Sequence, residues 1–239
     1  MELHQFRHSA FCEKVRLILA AKGLEVSLVE VTPGLGQLEL FRLSGQRQVP
    51  VLVDGADVIA DSTAIALHLE RVHPTPPLLP VDPLARARVL LLEDWADTAL
   101  AGGCRRALLQ AAAADPLLRS GLLPEATPDP LRRLVGVLPA GLMAPLSEVL
   151  VETLAPCEAH QLQRSLEQLV QLIGERPYLE GDRLSLADLA VVAQLSLLRF
   201  PASAEAPLAG RGVPGLADNP LLAPLFSWRD RILEQLGRA

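Results

Sequence analysis

The sequence predicts an α+β protein in which a mixed sheet-and-helix domain precedes an all-α domain. Three observations lead to this fold class. Strand and helix patterns follow each other in the order βαβ, α, ββ, α over residues 1–73. Residues 73–83 contain five prolines, which is typical of an extended linker that cannot continue a helix. Beyond residue 83 the pattern is helical, without convincing strands.

The chain opens with the pattern of a strand followed by a helix. Residues 2–7 form a short strand-like run, and residues 11–22 favour a helix that Gly23 ends. The helical spacing runs through Val15, Ile18, Leu19 and Lys22.

Three further strands are predicted before residue 61. Residues 25–31 alternate between apolar and polar side chains, as a half-buried strand does. Residues 37–43 favour a weaker helix. Residues 50–53 and 57–60 are predicted to pair as antiparallel strands around the turn Asp54-Gly55.

A helix start is expected at Asp61 and Ser62, because both residue types cap helices and an apolar stripe follows them. The stripe consists of Ile65, Leu69 and Val72. This helix completes the predicted first domain.

The remainder of the chain is predicted to be helical. Helices are expected over residues 83–114, with Pro83 in the first turn, and over residues 147–175. Residues 115–145 mix prolines and glycines with leucines, and no structure is assigned to them. The predicted organisation is therefore a domain over residues 1–73, a linker over residues 74–82 and an all-α domain over residues 83–239.

Composition and charge exclude several classes of function. A formal charge of −6 repels a phosphate backbone, and no Lys and Arg cluster is interleaved with aromatic residues, so nucleic acid is not expected as a partner. The longest mostly apolar run, residues 184–198, is too short to span a bilayer. Residues 1–9 fit neither a secretory signal nor a transit peptide. We therefore expect a cytoplasmic protein with no membrane partner.

Cysteine and histidine usage predicts neither disulfide bonds nor a metal site. Cys12, Cys104 and Cys157 lie far apart, in none of the paired spacings that hold zinc, and an odd number argues against a disulfide framework. His68 and His73 are five residues apart and do not share a helical face. Reduced thiols and no metal are expected.

Three segments of the first domain carry specific motifs. They are residues 7–16 (RHSAFCEKVR), residues 47–55 (RQVPVLVDG) and residues 61–65 (DSTAI). Together they resemble the opening, the turn into the third strand and the following helix start of the glutathione transferases, although Ala10 replaces the usual proline. The resemblance implies a thioredoxin-like first domain that binds glutathione as co-substrate and transfers its sulfur to a small hydrophobic electrophile.

A fourth segment, residues 179–188, is similar to the box that starts a helix in the second domain of the same family. Ser185 and Asp188 form a Ser-x-x-Asp capping arrangement, over which Leu184 and Leu189 can close as a hydrophobic staple. These residues are assigned to folding and not to a functional site.

The turn before the third strand is where the resemblance places the backbone of glutathione. A cis Val49–Pro50 bond would turn the amide and carbonyl of Val49 outward, where they could pair with the cysteinyl backbone of glutathione like an added strand. The alternative is a trans proline that starts an edge strand. Gln48 stands where the family often uses Lys or Gln toward the glycyl end of glutathione, and the alternative is a solvated turn glutamine.

The helix start at Asp61 and Ser62 offers a site for the γ-glutamyl group. Unpaired amides and the positive end of the helix dipole can hold its carboxylate. The interpretation assigns the ammonium group of the ligand to Asp61 and its carboxylate to the hydroxyl and amide of Ser62. The alternative is a plain N-cap, and both can hold because a cap and an anion site use the same amides.

Two residues compete for the sulfur. Ser9, just before the first helix, could donate its hydroxyl to the glutathione thiolate, or it could be only a helix cap. Cys12 follows three residues later, near the cations Lys14 and Arg16, and could exchange disulfides with glutathione. The alternative for Cys12 is a packed, inert thiol.

Two other functions stay open. The Ser-led opening and residues 47–50 resemble the zeta class, which includes glutathione-dependent cis-trans isomerases of maleylacetoacetate, although Ser9-Ala10-Phe11 departs from that class's Ser-Ser-Cys run. The third hypothesis is a non-catalytic protein of the same fold that serves in binding or assembly, which retention on a glutathione column would distinguish from the two enzymes. The resemblance also implies a homodimer, and an electrophile pocket that draws on Phe11, Leu35 and residues 95–104.

Overall fold

The computed structural model describes residues 1–32, 36–124, 126–137, 159–204 and 206–238. The first domain contains β1 (Glu2–Gln5), α1 (Ala10–Ala21), β2 (Ser27–Glu30), α2 (Gln37–Ser44), β3 (Val51–Asp54), β4 (Asp57–Ala60) and α3 (Ser62–Val72). The helical part contains α4 (Pro83–Trp95), a π-helical turn (Ala96–Leu100), α5 (Ala101–Ala114), α6 (Pro116–Gly121), α7 (Asp129–Val137), α8 (Ala159–Ile173), α9 (Leu186–Leu198), a 3-10 turn (Pro220–Leu222) and α10 (Ala223–Gln235). The predicted thioredoxin-like domain followed by a helical domain is confirmed.

The four strands form one mixed sheet with the order β2-β1-β3-β4. β1 pairs in parallel with β2 and antiparallel with β3, and β3 pairs antiparallel with β4. Gly55, with φ of 62°, makes the hairpin turn between β3 and β4, because a glycine adopts this left-handed conformation without a side-chain clash.

One helix of the second domain packs against both domains. α9 is buried along its whole length and packs against α1, α4 and α5. The capping box at its start is present: the Asp188 carboxylate accepts hydrogen bonds from the backbone N–H groups of Ser185 at 2.8 Å and Leu179 at 2.7 Å. Its folding role, inferred from the sequence, is thus borne out.

The proline-rich segment between the two domains, residues 74–82, is held in place by side-chain contacts. Leu78 and Leu79 are buried. The buried ammonium of Lys22 lies 2.6 Å from the Glu70 carboxylate and donates to the carbonyls of His73 and Pro76. The linker is therefore extended but packed.

Two short helices occupy the segment to which the sequence assigned no structure. α6 begins after Asp115, whose carboxylate caps it by accepting from the amide of Leu117 at 2.8 Å, and α7 begins at the pair Asp129-Pro130. An Asp-Pro pair supplies a cap followed by a first-turn proline, so this signal was available in the sequence. Of the helix predicted over residues 147–175, the described part is α8, and Cys157 lies outside the described residues.

Candidate functional site

The sheet topology brings the three sequence motifs to one end of the first domain. His4 of β1 lies opposite Val51 of β3, so the loop that leaves β1 toward Ser9 is beside the turn that enters β3. Val51 also lies opposite Ala60, the last residue of β4, which Asp61 follows. Ser9, Val49–Pro50 and Asp61–Ser62 thus share one edge of the sheet.

Ser9 begins helix α1. It has extended backbone dihedrals, and its Oγ accepts a hydrogen bond of 3.4 Å from the amide of Cys12. The Ser9 side chain also hydrogen-bonds the side chain of Cys12. Ser9 also lines a cavity of about 270 Å³ between the start of α1 and the end of α9. A ligand thiolate at the positive end of α1 can receive the Ser9 O–H in place of the Cys12 side chain.

Cys12 lies inside the protein, with none of its surface exposed. Its Sγ accepts a hydrogen bond of 3.5 Å from the amide of Phe6. Burial raises the pKa of the Cys12 thiol, which hydrogen bonds from Ser9 and Phe6 and the charge of Arg16 only partly offset. A buried thiol of raised pKa is a weak nucleophile.

The turn before β3 has the cis Val49–Pro50 bond that the resemblance suggested. Gln48 is exposed, Val49 is half-buried and Pro50 is buried. The side chain of Gln48 therefore faces solvent at the rim of the site, where it can meet a ligand.

Asp61 has a φ of 81°, and no other non-glycine residue among those described has a positive φ. Its Oδ1 accepts from the amides of Thr63 at 2.9 Å and Ala64 at 3.0 Å, so it caps α3. Strained residues of this kind cluster at ligand sites. The amide of Ser62, in the first turn, has no carbonyl of its own helix to donate to.

The side chain of Ser62 points away from the expected ligand position. It is buried, and its Oγ lies 3.5 Å from Lys14 Nζ and 3.4 Å from Asp97 Oδ2. The backbone amide is thus the group of Ser62 that remains for a ligand carboxylate, and the hydroxyl belongs to an internal cluster.

That internal cluster was not predicted from the sequence. The ammonium of Lys14 is fully buried, lies 2.6 Å from Asp97 Oδ2, contacts the Glu93 carboxylate, and donates to Thr63 Oγ1 at 3.2 Å. Two carboxylates thus share one ammonium. Burial raises the pKa of Asp97, although Lys14 opposes this.

The position of Asp97 adds a second unusual feature. It lies in the π-helical turn that interrupts the run from α4 to α5, and such turns are frequent at functional sites. Asp97 Oδ1 is buried without a hydrogen-bond partner among the described residues. A signal for the cluster existed in the sequence, since Lys14, Ile18 and Lys22 share one face of a predicted helix whose other stripe residues are apolar.

A second cavity, of about 580 Å³, lies between the loop after β1 and helices α6 and α7. It shares Arg7, His8 and Leu208 with the cavity lined by Ser9. Phe11 and residues 95–104, expected around the electrophile, line neither cavity. Leu35 lies outside the described residues.

Across the described ranges, no group of three or more His, Cys, Asp and Glu side chains is placed to hold a metal ion. None of the helices in these ranges is both long and apolar enough to cross a membrane.

The fold and the site define a class of proteins in which a thioredoxin-like domain with a cis-proline edge precedes a helical domain. The family model for the glutathione S-transferase N-terminal domain matches residues 3–77. Maleylacetoacetate isomerase of Pseudomonas aeruginosa is 31% identical over 201 residues, which cover 82% of this chain and 80% of that protein. The chain belongs to the glutathione S-transferase family.

Other relatives match over shorter segments. The stringent starvation protein A homolog of Pasteurella multocida is 35% identical over 100 residues, which cover 40% of this chain and 47% of that protein. The match thus spans less than half the length of this relative. Among solved structures, apo human glutathione S-transferase T1-1 superposes with a TM-score of 0.63 at 25% identity, covering 99% of this chain and 84% of that chain.

Proposed function

We propose that the chain binds glutathione at the edge of the sheet and adds its thiolate to small electrophiles. The observation that carries this proposal is the placement of Ser9. It begins α1 and lines a cavity, so its O–H can turn from the Cys12 side chain to a bound thiolate. The cis-proline turn and the start of α3 lie along the same edge.

Activation of the thiol needs stabilisation of its anion. A free thiol has a pKa of about 8.5 and is mostly protonated at neutral pH. Lowering that pKa by about two units corresponds to about 2.7 kcal/mol in favour of the anion. One charge-assisted hydrogen bond from Ser9, together with the positive end of α1, can supply this amount.

The peptide portions of glutathione are assigned to the other two motifs. The backbone of Val49 pairs with the cysteinyl residue, and Gln48 faces the glycyl end. The amide of Ser62 holds the γ-glutamyl carboxylate, while the exposed carboxylate of Asp61 meets the ammonium group. In this arrangement Asp61 serves as cap and ligand contact at once.

Cys12 is the weaker candidate for sulfur chemistry. Its thiol is buried and its pKa is raised, whereas an exchanging thiol needs exposure and a lowered pKa. We therefore assign Cys12 to packing beneath Ser9.

The proposal is tested by retention on immobilised glutathione and by thiolate absorbance, at about 240 nm, of the bound ligand across pH. We expect retention and a bound thiol pKa below that in solution. Absence of binding would overturn the proposal. Binding without a lowered thiol pKa would instead indicate a non-catalytic glutathione-binding protein.

A second candidate function is glutathione-dependent cis-trans isomerisation. The match to maleylacetoacetate isomerase over 82% of this chain favours it. The same thiolate would add to the double bond, rotation would occur about the resulting single bond, and elimination would re-form the double bond and release the thiolate. Parallel assays with maleylacetoacetate and with a chlorinated nitroarene distinguish the two reactions.

We also propose that the chain acts as a cytoplasmic homodimer. Leu84 and Leu91, seven residues apart on one face of α4, are 61% and 71% exposed. An apolar stripe of this kind on a helix surface suits a partner subunit.

A further inference from the structure

The cavity of about 580 Å³ beside the Ser9 loop has one apolar side and one cationic side. The apolar side is formed by Phe6, Leu117, Leu123, Pro124, Pro207 and Leu208. The cationic side is formed by two consecutive residues of α7, Arg132 and Arg133. A ligand in this cavity therefore meets both an apolar surface and positive charge.

Neither arginine forms an ion pair with a carboxylate of the described residues. The guanidinium of Arg132 donates to the carbonyls of Ser120 and Pro124, both at 2.8 Å, and a carbonyl carries no net charge. Arg133 is exposed and makes no ion pair within the described part of the chain.

Among the described residues that line the cavity, Glu30 supplies the carboxylate. Its carboxylate is already engaged, because it accepts from the amide of Arg7 at 2.8 Å and from Gln5 Nε2 at 3.2 Å. Among the described lining residues the charge is positive overall, since Arg132 and Arg133 outnumber this carboxylate. An anion gains from such a site, in which low-dielectric walls concentrate the field.

We infer that the second substrate is an anionic electrophile, a small molecule whose apolar reactive part carries a carboxylate. This inference rests on the proposed function. The apolar side of the cavity takes the reactive part near Ser9, and the carboxylate faces Arg132 and Arg133.

A matched pair of electrophiles tests the inference. In a chlorodinitrobenzoate and in its methyl ester, the thiolate attacks the carbon that bears chlorine, so that a C–S bond forms and chloride leaves with the electron pair of the C–Cl bond. We expect wild-type kcat/KM, divided by the uncatalysed rate constant, to be about tenfold higher for the acid than for the ester, as one favourable charge contact gives. High salt should reduce this preference.

Charge variants then test whether the cationic side of the cavity causes the preference for the acid over the ester. Arg133 is exposed and forms no ion pair with a described residue, so we expect Arg133→Gln to lower the acid-to-ester ratio by about threefold and Arg133→Glu to lower it further. Arg183→Gln, at an exposed arginine that lines neither cavity, should leave the ratio unchanged. A ratio that both Arg133 variants leave unchanged would overturn the inference, as would a KM increase for glutathione instead of the electrophile.

Calorimetry with the two preformed glutathione conjugates separates the two proposals, because it needs no turnover. If the acid conjugate binds no more tightly than the ester conjugate, the inference fails whatever the rates are. If the acid conjugate binds more tightly and Arg133→Glu removes the difference, but neither electrophile is turned over, the inference holds and the proposed catalytic function fails.

Discussion

The ammonium of Lys14 lies 2.6 Å from the carboxylate of Asp97, inside the protein, and so ties helix α1 to the π-helical turn of the second domain. The same ammonium contacts Glu93 and reaches the side chains of Ser62 and Thr63 at the start of α3. One residue thus links the helix that begins at Ser9 to the helix start assigned to the γ-glutamyl group.

Replacement of Lys14 should be strongly destabilising. Lys14→Met leaves two buried carboxylates without their cation, and we expect the free energy of unfolding to fall by about 3–5 kcal/mol. Urea unfolding measures this, with the exposed Arg176→Met as control. A loss below about 1 kcal/mol would mean that the cluster is solvated or protonated.

Asp97 should give stability an unusual pH dependence. Its pKa is raised above 3.8 by burial, so the native state holds this proton more tightly than the unfolded state does. Its contribution to stability therefore falls as pH rises from about the unfolded pKa to the native pKa. We expect the stability of Asp97→Asn relative to wild type to increase across that interval in urea titrations. A constant or decreasing difference would contradict the raised pKa.

Ser9→Ala should raise the pKa of bound glutathione toward its solution value and lower turnover at neutral pH by about tenfold per pKa unit, or about 1.4 kcal/mol. Binding should change little, because the proposed function assigns the peptide portions of glutathione to Val49, Asp61 and Ser62. Ser9→Thr keeps a hydroxyl and should restore the thiolate. Cys12→Ser should keep conjugation nearly intact and cost only packing energy. If Cys12→Ser instead loses rate and thiolate while Ser9→Ala keeps both, Cys12 is the sulfur-handling residue.

The amide of Ser62 can be tested separately from its hydroxyl. Ser62→Pro removes the N–H, and a proline fits the first turn of a helix, whereas Ser62→Ala keeps the N–H and removes the hydroxyl. We expect Ser62→Pro to raise the Kd of glutathione by about tenfold, as loss of one charge-assisted hydrogen bond does, and Ser62→Ala to raise it much less. Calorimetry measures both, and circular dichroism checks that α3 persists. Equal losses would assign the contact to the side chain.

The exposed stripe on α4 predicts the oligomeric state. The wild-type protein should sediment as a homodimer at micromolar concentration. The double variant Leu84→Glu with Leu91→Glu should sediment as a monomer, because two charges would enter an apolar interface. A matched change at Leu221, which is 68% exposed on the 3-10 turn, should leave the dimer intact. A monomeric wild type would count against the proposal.

The order of strands and helices in the first domain was predictable because its signals are local. Gly23 and Gly55 sit at turns with φ near 63° and 62°, and Asp61 caps the residues that immediately follow it. A helix cap of the same local kind was not recognised at Asp115-Pro116, because the surrounding segment mixes prolines and glycines with leucines. The predicted domain boundaries and site roles stay predictions.

The sequence by itself determined the fold class, the helix starts of the first domain and the three motifs, since caps, turns and hydrophobic periodicity act within a few residues. Only the tertiary structure decided which polar side chains of the first domain point into the protein and which remain accessible to a ligand. Lys14 is buried because Glu93 and Asp97, 79 and 83 residues away, provide its counter-charges, and the hydroxyl of Ser62 is turned inward by that same cluster. Such contacts depend on how α1, α3 and α4 pack together, and no pattern within one segment of sequence specifies that packing.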